Sequence, residues 1–317
     1  IFDGGGLIAD HGKITAEGLR FSFEEVTLAV KSVDIERNRL HQARTVSRKV
    51  DVEGRAEIDL FFDWPRVERR DGHESVAPMS KEEEFTRAMA LAYFDYMRKS
   101  WSNGFVVSLS GGADSAAVSS FAKIMLDLAT AELGVEAVRK RLAYLALPEA
   151  PATWMKPLLF CAYQGTKNSG DVTRQAAQAV AEMLDCDYAE WDVDQLVEGY
   201  ERTIESVLKR QLNWEKDDLT RQNIQARVRA PGIWMFANLR NGLLLSTSNR
   251  SEAAVGYATM DGDTAGGVSP IAGIDKDYLR TWLRWMETTG LPETGPYPAL
   301  SLINEQQPTA ELRPKAD

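Results

Sequence analysis

Ser110, Gly111, Gly112, Asp114 and Ser115 crowd one short turn, directly after the apolar run Phe105, Val106, Val107, Leu109 and directly before an alanine-rich segment. A glycine pair there lets backbone N–H groups approach a phosphate with no Cβ in the way. The helix that follows adds the positive end of its dipole, and Ser110 and Ser115 add hydroxyls. Asp114 is unsuited to touch phosphate but well suited to ligate Mg²⁺. The residue types therefore point to a metal-assisted nucleotide site. No GxxxxGK[ST] pattern occurs, which argues against a Walker-type nucleoside triphosphatase. The blander alternative is a surface turn ending in a helix cap, and the buried strand before it disfavours that.

Three further segments carry candidate chemistry. "NIQARVR" places Asn223, Arg227 and Arg229 at i, i+4 and i+6, either a solvated basic face or an anion contact. "LLLSTSNRSE" runs a buried strand into a second helix start, where Glu252 is either a second Mg²⁺ ligand or a first-turn acid complementing the dipole. "PTAELRP", 308 to 314, is a proline-bounded loop too polar for a core. Gly4-x-Gly6-x-x-Ala9 matches a relaxed dinucleotide fingerprint, but a strand rather than a helix follows it. Cys161 and Cys186 form no CxxC motif, so neither zinc nor a disulfide framework is expected, and a reducing cytoplasm fits best. His11, His41 and His73 join no Ser/His/Asp or Cys/His set.

The elements that must position these residues follow from pattern. Ser80 and Glu83 open a helix as a capping box. Strands are expected at 104–109, 142–147, 187–192 and 243–247, and helices at 114–129, 171–185, 194–209, 219–240 and 275–287, with Pro231 breaking the fourth just after Arg229. Such alternation predicts an α/β fold, a parallel sheet with helices on both faces, with ligands beyond the carboxyl ends of the strands. Ahead of it, residues 1–63 alternate in strand fashion. A hairpin should turn at His11-Gly12, "EEVTLAVKSVDI" should continue the strands, and "ERNRLHQARTVSRK" should be a charged helix or loop. Residues 64–79 are charged and hold Pro and Gly, as a linker would.

At 317 residues, 44% hydrophobic and 26% charged, the chain has the composition of about two globular domains. It has no apolar run long enough for a membrane helix. With 37 basic and 47 acidic residues its net charge is −10, which disfavours nucleic acid and anionic membrane as partners. The first methionine is Met79, and the chain opens "IFDGGG", so a piece of a longer polypeptide is expected.

The turn at 108–115 resembles the S-G-G-x-D-S pyrophosphatase loop of enzymes that cleave ATP between the α and β phosphates. Taken with "NIQARVR", "TSNRSE", "GIDKDYL" and "PTAEL", residues 80–317 resemble NAD+ synthetases, with the motifs in the family's order. The resemblance implies the adenine nucleotide alpha hydrolase-like, Rossmann-like fold. It also implies an ATP- and Mg²⁺-dependent ligase that amidates nicotinic acid adenine dinucleotide (deamido-NAD) in NAD biosynthesis. On that resemblance Ser108, Leu109, Ser110, Gly111, Gly112, Ala113, Asp114, Ser115 and Thr247 would bind ATP, and Asp114 and Glu252 would hold Mg²⁺. Lys276 and Thr309 would hold the phosphates, while Asn223, Arg229 and Asp263 would face deamido-NAD. Met260 stands where small ammonia-dependent members carry Lys, and Gly267 where they carry Asp. Residues 1–63 resemble the closing strands of the nitrilase-type glutaminase domain fused ahead of larger NAD+ synthetases, which implies glutamine as the source of ammonia. A homodimer or higher homo-oligomer is also implied. Other pyrophosphatase-loop enzymes (tRNA thiolation, lysidine formation, GMP synthetase) are the rivals, as is a non-catalytic nucleotide-binding scaffold. The charge, the two cysteines and the joint presence of Asp114, Glu252, Lys276 and Thr309 speak against them.

Overall fold

The computed structural model describes residues 4–10, 12–45, 78–306 and 312–313. The chain divides into two compact units, Ile1–Met79 and Ser80–Asp317. In the first, β1 (Leu7–Asp10) and β2 (Lys13–Glu17) form an antiparallel hairpin, with Gly12 at φ 75 in the turn. The short helix α1 (Ile35–Arg44) follows, capped by the Asp34 side chain on the Arg37 N–H.

The second unit is a parallel sheet of β3 (Phe105–Ser108), β4 (Leu159–Gly165), β5 (Asp187–Asp192) and β6 (Leu243–Leu245), in the order β5-β4-β3-β6. The chain steps outward from β3 to β5 and then returns to the other side of β3. Strand order thus reverses between β3 and β6, and ligands of open α/β sheets bind at such a point.

Alternation along β3 decides what covers each face. Val106, with Phe160, Ala162 and Leu244, packs on Ile233 and Ala237 of α9 (Arg229–Arg240). Phe105 turns the other way, 4.9 Å from the Tyr93 ring of α2 (Lys81–Lys99). There α3 (Ala113–Leu133) brings Phe121 into a 4.5 Å stack with Trp282 of α11 (Lys276–Thr288). The buried Trp282 N–H is satisfied by Thr86 Oγ1 at 2.8 Å, so this fully buried indole leaves no orphan donor. The remaining helices are α4 (Val135–Arg141), α5 (Met155–Leu158), α6 (Asp171–Met183), α7 (Asp194–Leu208), α8 (Asp218–Arg227), α10 (Arg250–Val255) and α12 (Ser301–Asn304).

Three expectations need correction. No strand forms at 142–147. Leu142 is buried against the end of α4, and the Leu145 N–H closes a turn onto its carbonyl just ahead of Pro148. The strand lies instead at Leu159–Gly165, a run with no polar alternation because both of its faces are covered. The helix expected over 219–240 is two helices that meet at Val228. Pro231 falls in the first turn of the second, where a missing N–H costs nothing. Residues 24–34 are not strand. Val26, Leu28 and Val30 alternate as a strand would, but no neighbouring strand pairs with them among the described residues, and all three stay exposed.

Candidate active site

β3 ends at Ser108, and three residues later the chain is turning into α3. Gly111 makes the turn at φ +77, and a Cβ there would overlap the Thr173 carbonyl at the start of α6. Only glycine fits. Ser115, buried in the first turn of α3, ties the loop down. Its Oγ accepts from the Ser110 N–H at 3.2 Å, donates to the Gly112 carbonyl at 3.2 Å and meets Ser110 Oγ at 3.1 Å. Gly112 is the N-cap and no side chain caps α3, so the helix start stays open to a ligand.

The ionic centre lies where α3, α10 and α11 begin. Asp114 Oδ2 accepts from Lys276 Nζ at 3.0 Å, and Glu252 Oε1 accepts from the same ammonium at 2.9 Å. Burial works to lower the Lys276 pKa, but the charges and hydrogen bonds of Asp114 and Glu252 outweigh it, and the pKa is raised. Asn249, almost fully buried, ties the two acids together. Its Nδ2 donates to Asp114 Oδ1 at 2.8 Å, while its Oδ1 accepts from the Glu252 N–H at 3.0 Å as the cap of α10. Two carboxylates thus converge on the position of one cation. That arrangement suits Mg²⁺, which takes one or two protein carboxylates and completes its shell with water and phosphate. Among the described residues no group of three or more His, Cys, Asp or Glu could hold a metal by itself.

A second set of polar groups lies toward α8 and α9. Thr259 joins two of them: its N–H donates to Asp263 Oδ1 at 2.7 Å and its hydroxyl to Asn223 Oδ1 at 3.2 Å. Burial pushes the Asp263 carboxyl up, the Thr259 N–H draws it down, and the Asp114 charge adds to the rise. Arg229 Nε donates to the Gln164 carbonyl at 3.0 Å, and Gln164 Nε2 returns a bond to the Arg229 carbonyl at 2.8 Å. Ser108 Oγ donates to Gln164 Oε1 at 3.0 Å, so Gln164 links the end of β3 to the start of α9.

A cavity of about 720 Å³ runs over both sets. Of the residues singled out in the sequence, Ser108, Ser110, Gly112, Ala113, Asp114, Ser115, Asn223, Arg229, Thr247, Glu252, Asp263 and Lys276 line it. Leu109 is fully buried and Gly111 packs on α6, so neither faces the cavity. Thr309 lies outside the described residues. Met260 is exposed, and its carbonyl accepts from Arg227 Nε at 3.0 Å. Gly267 uses its N–H on the Leu244 carbonyl. Sequence reasoning missed Asn249, Gln164 and Arg280. Asn249 was findable, because Asn-x-x-Glu is a capping-box spacing. Arg280 was findable as the residue one turn after Lys276 on α11. Gln164 had no local signal. The cysteines stay outside this site. Cys161 is buried in β4, and contact with Cys161 together with burial pushes the Cys186 thiol far up.

The NAD synthase family model matches residues 86–317. The glutamine-dependent NAD(+) synthetase of Oryza sativa subsp. indica is 27% identical over 99% of this chain and 46% of its own length. A crystal structure of a glutamine-dependent NAD(+) synthetase from Cytophaga hutchinsonii superposes with a TM-score of 0.73 at 39% identity, covering 98% of this chain and 47% of that one. The glutamine-dependent NAD+ synthetase from Acinetobacter baumannii, solved with adenosine diphosphate, shares the fold with a TM-score of 0.57 at 20% identity, over 75% of this chain and 39% of that one. The chain spans about half the length of the relatives it matches.

Proposed function

The chain belongs to the NAD synthase family, and from that premise we propose that it amidates deamido-NAD to NAD at the expense of ATP. The observation that carries this is the convergence of Asp114, Glu252 and Lys276 beside an uncapped helix start, at the reversal of strand order. Ser108, Ser110, Gly112 to Ser115 and Thr247 bind ATP, while Leu109 and Gly111, which do not face the cavity, shape the loop. Asp114 and Glu252 hold Mg²⁺. When bound, the metal supplies positive charge to the triphosphate. Asn223, Arg229 and Asp263 face deamido-NAD, and Thr309 joins Lys276 on the phosphates.

In the reaction a nicotinate carboxylate oxygen bonds to the α-phosphorus, and the bond from that phosphorus to the bridging oxygen of the departing pyrophosphate breaks. Ammonia then attacks the acyl carbon, loses a proton, and AMP leaves with the carboxylate oxygen. The protein supplies no nucleophile. Its residues place the reactants, and the Lys276 ammonium offsets charge developing on the leaving group.

We assign residues 1–63 to the closing part of a nitrilase-like glutaminase domain, 64–79 to a linker and 80–317 to the synthetase domain. Glutamine is then the nitrogen source of the complete enzyme, a cytoplasmic homo-oligomer. Among the described residues no helix is long and apolar enough to cross a membrane. These 317 residues offer only Cys161, which is buried in β4, and Cys186, whose thiol is pushed up by its contact with Cys161 and by burial, and neither is suited to be the nucleophile. The test supplies MgATP and deamido-NAD with either ammonium chloride or glutamine. NAD should form from ammonium and not from glutamine. Equal formation from glutamine would refute the assignment of residues 1–63, and none from ammonium would refute the ligase reading.

A further inference from the structure

The charges at the site do not balance. Asp114 and Glu252 bring two negative charges, and the single Lys276 ammonium is already shared between them at 3.0 and 2.9 Å. The other nearby guanidiniums have work elsewhere. Arg250 pairs with Asp275 at 3.0 Å, Arg227 holds the Met260 carbonyl and Arg229 the Gln164 carbonyl. A nucleoside triphosphate entering this cavity adds several more negative charges, in a chain of net charge −10. Withdrawing such charge from water without a counter-charge is costly.

One cation remains. Arg280 lies one turn beyond Lys276 on α11, so both side chains project from the same face of the helix. It is half-buried and lines the same cavity. Among the described residues no carboxylate or carbonyl engages its guanidinium, whereas Arg221, Arg240 and Arg250 each hold an acid at 3.0 Å or less. A half-buried guanidinium with five donors and no anion is configured for one that arrives from solution. Its planar fork matches two phosphate oxygens at once. The most highly charged part of the nucleotide is the diphosphate beyond the scissile bond.

We propose that Arg280 receives the β,γ-diphosphate of ATP and retains the pyrophosphate after cleavage, an assignment that rests on the ATP-dependent reading above. Lys276, which is shared with the acidic pair, and Arg280 then both face the leaving group.

Calorimetric titration of the full chain with MgATP, AMP and magnesium pyrophosphate tests this in Arg280→Ala, the uncharged long-chain variant Arg280→Gln and the charge-retaining Arg280→Lys. Loss of a charge-assisted phosphate contact should weaken MgATP and pyrophosphate by about ten- to a hundredfold in the Ala and Gln variants. AMP affinity and the unfolding midpoint should stay near wild type, and Lys should recover part of the loss because it restores charge without the fork. Unchanged pyrophosphate binding in the Gln variant would overturn the assignment. So would an equal loss of AMP affinity, which would make Arg280 a packing element. A wild-type chain that binds neither MgATP nor pyrophosphate would refute the nucleotide reading itself, and the Arg280 role with it.

Discussion

The two halves of the cavity are held together by different kinds of bond. Around Asp114, side chains from three helix starts meet directly: Lys276 spans to both acids, and Asn249 joins the same acids from the other side. Around Arg229 and Asp263 the ties run largely through backbone, with Arg229 on the Gln164 carbonyl and Asp263 on the Thr259 N–H. The first half is a charged, preorganised cluster suited to a metal and phosphates. The second is a hydrogen-bonded wall, with Arg229 and Asp263 held by backbone groups, suited to shape and orientation. Substitutions in the first should therefore strike turnover, and those in the second should strike recognition of one substrate.

The largest effect is expected for Asp114→Asn and Glu252→Gln. Each removes one of the two carboxylates on the cation position, and each should cut kcat roughly a hundredfold or more. The Mg²⁺ concentration for half-maximal rate should rise while the unfolding midpoint holds. Steady-state rates across a Mg²⁺ series check this, and wild-type behaviour at low Mg²⁺ in both variants would dissolve the contrast between the halves.

Asn249 sharpens it. Asn249→Ser keeps an oxygen to cap α10 but cannot reach Asp114, so kcat should fall about tenfold with little loss of stability. Asn249→Ala loses the cap as well and should also unfold more easily, by about 1 kcal/mol. A wild-type kcat in Asn249→Ser would mean that the bond to Asp114 does nothing.

Arg229→Ala probes the other half. Deamido-NAD affinity should fall about tenfold while ATP affinity barely moves, read by separate titrations. Parallel losses for both ligands would erase the division between the two halves.

The smallest effect concerns Asp263. Burial raises its folded pKa above the unfolded value near 3.8, so the folded state holds the proton more tightly. Its contribution to stability is therefore greatest at low pH and falls as pH rises through the interval between the two values. The cost of the buried charge is fully present above that interval. Asp263→Asn should be slightly more stable than wild type at neutral pH and lose the advantage toward about pH 4, as urea unfolding at several pH values would register. A constant difference across pH would contradict the assigned cause.

The halves also differ in how far they could be read from sequence. The glycine turn, Asp114, Glu252 and the helix starts are local signals, because caps and turns are written within a few residues. β5 at Asp187–Asp192 was legible for the same reason, between a short turn and a helix start. β4 was not, since a strand buried on both faces loses its period, and "LAYLAL" offered a more obvious apolar run. The break at Val228 was displaced onto Pro231, because proline is read as a helix breaker although it is tolerated in a first turn. Gln164 bridges Ser108 and Arg229, residues far apart in the chain, and only the folded sheet brings them together.

The most direct test of the account follows the oxygen. Deamido-NAD labelled with ¹⁸O in its nicotinate carboxylate, turned over with MgATP and ammonium, should deliver one labelled oxygen to the phosphate of AMP and none to pyrophosphate. An acyl-adenylate formed beside Asp114 and Lys276 requires that transfer. Label appearing in inorganic phosphate or pyrophosphate, or AMP released without label, would contradict it.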